Sequence, residues 1–195
     1  MPKFPAAAVS ILILGACLAA CAGEVEQPAP TDNADAPTMN GQAAGAETIA
    51  LNGGDGRPVG SVTLTEGANG VSLKLDASAI AAGTHGLHLH EKGLCEGPKF
   101  EAAGAHWNPA GKKHGRDNPE GAHLGDLANL EVPSSGTASM TIEAAGMMMN
   151  SGASPLADAD GTSLVVHAKP DDYRTDPSGA SGDRIACAVL AAPRE

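Results

Sequence analysis

The sequence predicts an all-β domain, an eight-stranded antiparallel barrel or sandwich with a long metal-binding loop and a second long loop before its last strand. Three observations point there. From residue 47 on, short runs of alternating apolar and polar residues are separated by Gly-rich turns, and none carries a helical period of useful length. Eight such runs with turn signals imply two packed layers or a closed barrel. A segment of about 30 residues without strand pattern (91–122) is uncommon in a compact domain unless it is functional, and this one is rich in ligand-type side chains.

Residues 1–21 stand outside that domain. Lys3 and the amino terminus supply positive charge, and the apolar run AAAVSILILGA is too short and too early for a spanning helix. Two lipobox-like sequences follow, LGAC ending at Cys17 and LAAC ending at Cys21. This is the pattern of an export signal. Cys21 leaves the longer apolar region and is the favoured position for cleavage and lipidation, which would anchor the protein to a membrane. A soluble signal cut after Ala22 is the alternative. Residues 22–46 are Pro, Ala, acid and amide, with no base and no periodic apolar residue. Such a stretch cannot bury enough surface to offset its ordering entropy and should act as a flexible tether. The domain is thus expected over 47–195. Acids at the tether (Glu24, Glu26, Asp32, Asp35, Glu47) make the net charge of −11 overstate the acidity of the domain. Nothing in this balance points to nucleic acid as a partner.

The strands are expected at 47–52, 58–65, 70–76, 84–90, 122–132, 137–144, 163–169 and 184–190. In GVSLKLD, Val71, Leu73 and Leu75 alternate with polar residues, the period-2 pattern of a half-buried strand. Four cysteines divide evenly: Cys17 and Cys21 belong to the signal, leaving Cys95 and Cys187 in the domain. In an exported protein those two should pair, free buried thiols being the alternative.

Six of the seven histidines fall between His85 and Asp126, and His167 follows in SLVVHAK. His88 and His90 are two apart on a strand and share a face, so Leu87 and Leu89 point inward and the imidazoles outward. A lone strand histidine is ordinarily a hydrogen-bonded surface residue. An H-x-H opposite paired leucines, followed by further spaced histidines, reads instead as a ligand set. His106, His114 and His123 come at intervals of eight and nine, with Asp126 three later. Three imidazoles and a carboxylate suit tetrahedral zinc with no open position. His88, His90 and His167 suit copper, which accepts a nitrogen-rich, less saturated sphere.

HGLHLHE, Cys95, AHWNP, KKHG, AHLGDLAN, LVVHAKPDD and RIAC, in this order over residues 47–191, together resemble the copper,zinc superoxide dismutases of the bacterial exported type. The resemblance implies a Greek-key fold and the disproportionation of superoxide anion to dioxygen and hydrogen peroxide by copper cycling between Cu(II) and Cu(I), protecting the cell envelope or periplasm. It implies His88, His90, His106 and His167 as copper ligands and His106, His114, His123 and Asp126 as zinc ligands, with the His106 ring shared by both ions. It implies Asp171 as the carboxylate linking His88 to His114, the Cys95–Cys187 disulfide, and Arg184 as the cation that meets the substrate. His106 would also deliver a proton. A homodimer is compatible with the resemblance, but no residue marks its contact. The alternative is a non-catalytic copper- and zinc-binding envelope lipoprotein of the same fold, which loss of a ligand or of the arginine would mark; every position is filled.

Three further expectations concern residues outside the ligand set. His85 should be hydrogen-bonded and structural, and Trp107 an aromatic wall. Met147, Met148 and Met149 should pack as an apolar loop, collection of copper by their thioethers being the alternative. The segment 170–183 has no lysine and only Arg174, so substrate attraction must come from Arg184 and rim lysines, for which Lys112, Lys113 and Lys169 are the candidates.

Overall fold

The computed structural model describes residues 45–194. The expected export signal with Cys17 and Cys21, and all of the expected tether except its last two residues, lie outside the described residues. Within them the strands are β1 (Glu47–Gly53), β2 (Pro58–Gly67), β3 (Gly70–Ala77), β4 (Gly83–His85), β5 (Leu87–His90), β6 (Leu130–Val132), β7 (Ala138–Ala145), β8 (Thr162–His167) and β9 (Arg184–Ala191). Seven of them form one curled antiparallel sheet in the order β5-β8-β9-β1-β2-β3-β7, and β4 pairs with β6 in a second. The last strand returns beside the first, and the β3-to-β5 and β7-to-β8 connections cross the sheet, which is Greek-key connectivity.

Alternation sets the register as the sequence suggests. Val62 pairs with Leu75 and Leu64 with Leu73, and all four are buried. A one-residue slip would turn that whole row to solvent. Together with Leu51, Leu87, Leu89, Leu130, Leu164 and Leu190 they form the main core, each fully buried leucine contributing roughly 1.5–3 kcal/mol.

The structure departs from the sequence reading in three places. First, the expected strand 84–90 is two strands, one in each sheet, broken at Gly86. Gly86 donates to the Lys169 carbonyl and accepts from His167 N, both at 2.8 Å. A Cβ there would come within 2.8 Å of Ser181 Cβ, so the corner admits only glycine. Second, of the expected strand 122–132 only Leu130–Val132 is strand. Residues before it form the loop that carries His123 and Asp126, pinned along β5 by Leu89 N to Gly125 O (2.9 Å) and Leu127 N to Leu87 O (3.2 Å). Third, His88 and His90 face away from the core leucines as expected, but that face is covered rather than open. β5 and β8 are buried at every position, because the long loops fold over the side of the sheet opposite the leucines.

The disulfide forms as expected: Cys95 is bonded to Cys187, tying the first long loop to β9. Beneath it Phe100, Ala103 and Val165 make a small second core with Cys187. Trp107 is buried in the main core, as a wall residue should be, and Met147 is buried there too with Met149 packed against it. His85 is buried, its Nδ1 2.8 Å from the His167 carbonyl and its Nε2 2.9 Å from that of Ala81.

Candidate metal centre

β5 and β8 lie side by side, His88 opposite Val165 and Leu87 opposite Val166, so His88, His90 and His167 rise from neighbouring strands toward one another. The first long loop adds His106, held against β5 by a bridge between His90 and His106 and by Trp107 N to Leu89 O at 2.8 Å. The donor atoms of His88, His90, His106 and His167 all lie within 4.8 Å of one another, and all four residues are buried.

In each ring one nitrogen is occupied and the other is left over. His90 Nδ1 lies 3.0 Å from the Gly104 carbonyl and His167 Nδ1 3.2 Å from that of Gly182. A carbonyl can only accept, so both Nδ1 atoms carry the proton and both Nε2 atoms present lone pairs. His88 Nε2 donates to Asp171 Oδ2 at 2.9 Å. Among the described residues, the nitrogens of this group without partners are His88 Nδ1, His90 Nε2, His106 Nε2 and His167 Nε2. Each buried unpaired polar atom costs about 1–3 kcal/mol. Four of them in one place suit a metal centre and little else. Burial favours the neutral rings such ligation needs: it pushes His106 down to about 4, His167 to about 3, and His90 well below the ordinary histidine range.

A second group shares His106. Asp126 Oδ1 is approached by His106 Nδ1 at 3.1 Å, His114 Nδ1 at 3.0 Å and His123 Nδ1 at 3.1 Å. Its other oxygen is fixed by backbone N–H groups, Gly115 at 2.8 Å and His123 at 3.0 Å. Three imidazoles thus converge on one carboxylate oxygen. By donor spacing alone His88 falls in with His106, His114 and Asp126. His88, however, spends Nε2 on Asp171 and turns its free Nδ1 to the first group, whereas His123 faces Asp126 directly. We therefore count His123, not His88, in the second group. Burial alone would lower His114, but hydrogen bonds to Asp126 and Asp171 outweigh it and raise the ring to about 9. Burial would likewise raise Asp126 and Asp171, yet the facing imidazoles hold both well below the usual carboxylate range. A pocket that favours a proton between two carboxylates is an electrostatically negative one, suited to a divalent cation.

Asp171 stands where the sequence reading put it, between His88 Nε2 and His114 Nε2 at 2.9 Å each. Arg184, at the start of β9 and opposite His167, donates Nη1 to the Phe100 carbonyl and Nη2 to that of Gly104, each at 2.6 Å. Gly104 O also accepts from His90 Nδ1, so one carbonyl joins the arginine to the first group. Arg184 lines a cleft of about 510 Å³ with Pro98, Lys99, Glu101, Gly182 and Asp183.

Of the three rim lysines expected to attract an anion, none lines that cleft. Lys112 and Lys113 line a different one, near His123, and Lys113 is 3.3 Å from Asp176 Oδ2. Lys169 packs its stem beside Gly182. The sequence reading missed Lys99; only its nearness to Cys95 could have suggested it, since the disulfide carries that loop to β9. It also missed Asn129, whose side chain holds the backbone of Asp171 through Nδ2 to Asp171 O (3.0 Å) and Asp171 N to Oδ1 (2.9 Å).

Comparison with known proteins agrees with this geometry. Residues 59–190 match the profile of a family described as copper/zinc superoxide dismutase (SODC). The chain is 42% identical over 146 residues to the superoxide dismutase [Cu-Zn] of Caulobacter vibrioides, covering 73% of this chain and 84% of that one. It is 34% identical over 183 residues to superoxide dismutase-like protein YojM of Bacillus subtilis, covering 92% and 93%. A solved structure of a SOD-like protein from Bacillus subtilis superposes with a TM-score of 0.70 at 36% identity, covering 75% of this chain and all of that one.

Proposed function

The chain belongs to the copper/zinc superoxide dismutase family, and from that premise we propose how its residues divide the work. The protein is an enzyme that disproportionates superoxide to dioxygen and hydrogen peroxide. Copper supplies the one-electron chemistry by cycling between Cu(II) and Cu(I), and zinc, which is redox-silent, supplies fixed charge and geometry.

We assign copper to His88, His90, His106 and His167, and zinc to His106, His114, His123 and Asp126. The observation that carries this assignment is His106, whose Nδ1 faces Asp126 while its Nε2 is buried without a partner among the other three rings. A ring fixed at Nδ1 can hold or release a proton at Nε2 without turning. That makes Nε2 the atom suited to act as general acid toward the departing product. Asp171 orients two ligands at once, one in each group. Arg184 binds the anionic substrate, its guanidinium already anchored by two carbonyls, so little side-chain entropy is lost on binding.

The test is superoxide consumption by protein loaded with copper and zinc, alongside metal analysis. Equal amounts of both metals per chain and rapid consumption are expected; activity with zinc alone would refute the assignment. The Cys95–Cys187 bridge fits an exported protein. We place the enzyme at the cell envelope, anchored through a lipid on Cys21. Incorporation of labelled fatty acid should be lost in Cys21→Ser and kept in Cys17→Ser.

A further inference from the structure

Asp171 can orient two histidines only if its own backbone is held, and the segments that hold it meet at Tyr173, the single tyrosine of the chain. Tyr173 sits at φ +60°, a left-handed conformation that an L side chain adopts at a cost and that needs its surroundings to enforce it. That turn lets one residue face three segments. Its N–H donates to Asp171 Oδ1 at 2.7 Å, the same oxygen that accepts from His114 Nε2. Its hydroxyl accepts from Asn129 N at 2.9 Å, and Asn129 in turn grips the Asp171 backbone. Its carbonyl accepts from Asp117 N at 3.1 Å. This approach is possible because residue 115 is glycine: a Cβ there would collide with the Tyr173 carbonyl. Over the ring lies Arg116, its guanidinium carbon 3.7 Å from the centroid.

We propose that Tyr173, capped by Arg116, is a positioning residue for the zinc group: it clasps the second long loop to residues 115–117 of the first, so that Asp171 and His114 stay aligned. The inference rests on the reading that His106, His114, His123 and Asp126 hold zinc. Its consequence is selective. Three of the four copper ligands assigned here, His88, His90 and His167, stand on β5 and β8 and keep their places through strand pairing. Every zinc ligand lies outside the strands. Loosening the clasp should therefore release zinc before copper.

The experiment challenges fully loaded protein with a competing chelator and follows zinc and copper retained over time, with the visible spectrum of protein carrying Co(II) in place of zinc as a second readout. Tyr173→Ala should speed zinc loss by ~10-fold or more, in the range seen for partners that orient metal ligands, and change copper loss far less. Tyr173→Phe keeps the ring beneath Arg116 but removes the acceptor for Asn129 N–H, and should fall between Tyr173→Ala and the parent. Arg116→Ala should speed zinc loss ~2–5-fold, as expected for one exposed cation–π contact. The Co(II) spectrum should shift in Tyr173→Ala. Zinc loss at the parent rate in both Tyr173→Phe and Arg116→Ala would overturn the inference, whether or not Tyr173→Ala folds. So would equal acceleration of both metals, which marks general loosening. Failure of the unsubstituted protein to take up zinc would instead overturn the ligand assignment beneath it.

Discussion

Removing the guanidinium of Arg184 changes the charge of the cleft proposed to receive the substrate while leaving the proposed ligands in place. The cleft carries Lys99 and Arg184 against Glu101 and Asp183, so its formal charges balance. Arg184→Ala leaves it net negative toward an anionic substrate. At a separation of about 5 Å and an effective dielectric of about 40, one unit charge contributes about 1.7 kcal/mol. Lost from the transition state, that lowers kcat/KM about 18-fold. Superoxide decay followed by stopped flow at several ionic strengths should show this drop, and the decline of kcat/KM with added salt should flatten. Arg184→Lys restores the charge but lacks the planar two-nitrogen fork that meets the Phe100 and Gly104 carbonyls, so it should recover only part of the rate. Unchanged kcat/KM with both metals bound would refute the reasoning. Loss of copper in Arg184→Ala would refute it differently, placing the effect on the Gly104 carbonyl shared with His90 rather than on charge.

Three other outcomes follow. Lys99→Glu should lower kcat/KM several-fold at low salt, and the deficit should shrink as the Debye length falls from about 30 Å at 0.01 M to about 8 Å at 0.15 M; Lys113→Glu, at a lysine facing Asp176 away from that cleft, should do much less. Replacing Cys95 and Cys187 by serine opens a bridge spanning 92 residues. On the chain-entropy model that costs about 4–5 kcal/mol, or roughly 10–15 °C in the melting temperature of the metal-free protein, and a drop under about 3 °C would count against the bridge as a main support. Acid should destabilise the metal-free protein. His106 and His167 are depressed to about 4 and 3 in the fold, so below pH 6.5 the unfolded chain binds protons that the fold refuses, and stability falls as pH drops from 6.5 toward 4. His114, raised to about 9, works in the opposite sense, its contribution complete below pH 6.5 and fading as pH rises toward 9. Urea midpoints should therefore peak near neutrality, and a midpoint that climbs on acidification from pH 6.5 to 4 would contradict the assigned burial.

The strands were legible because alternation and Gly-rich turns are local signals: β2, β3 and β9 lie within a residue or two of their expected limits. The break at Gly86 was not, since its cause is Ser181, about a hundred residues away in sequence. An isolated glycine inside a strand pattern is the one hint the sequence held. The burial of His88 and His90 on a supposedly outer face had the same origin, because a period-2 pattern shows that two faces differ but not what covers either. Histidine spacing marked the ligand candidates. It could not show that the three imidazoles nearest Asp126 reach one oxygen, nor that Tyr173 and Asn129, ordinary loop residues by type, hold the carboxylate between the groups.

The proposed division of ligands between strand and loop has a physical logic. A one-electron centre must accept two oxidation states with little rearrangement, and imidazoles on paired strands, each locked at its far nitrogen by a carbonyl or carboxylate, resist rearrangement. His90 and His167 are locked this way by backbone alone, so their aim depends on no other side chain. A redox-silent ion makes no such demand and can be held by a loop, provided that its charge helps to order the loop. The second group is arranged for this: Asp126 uses one oxygen for the imidazoles and the other for the Gly115 and His123 N–H groups. Holding the cation and closing the loop are then a single event. His106 couples the two regimes, because its backbone is bridged to β5 while its Nδ1 faces the loop group. Zinc bound in the loop should therefore fix the aim of a ring whose other nitrogen serves the strand group, and disorder in the loop should reach the redox centre through that one side chain.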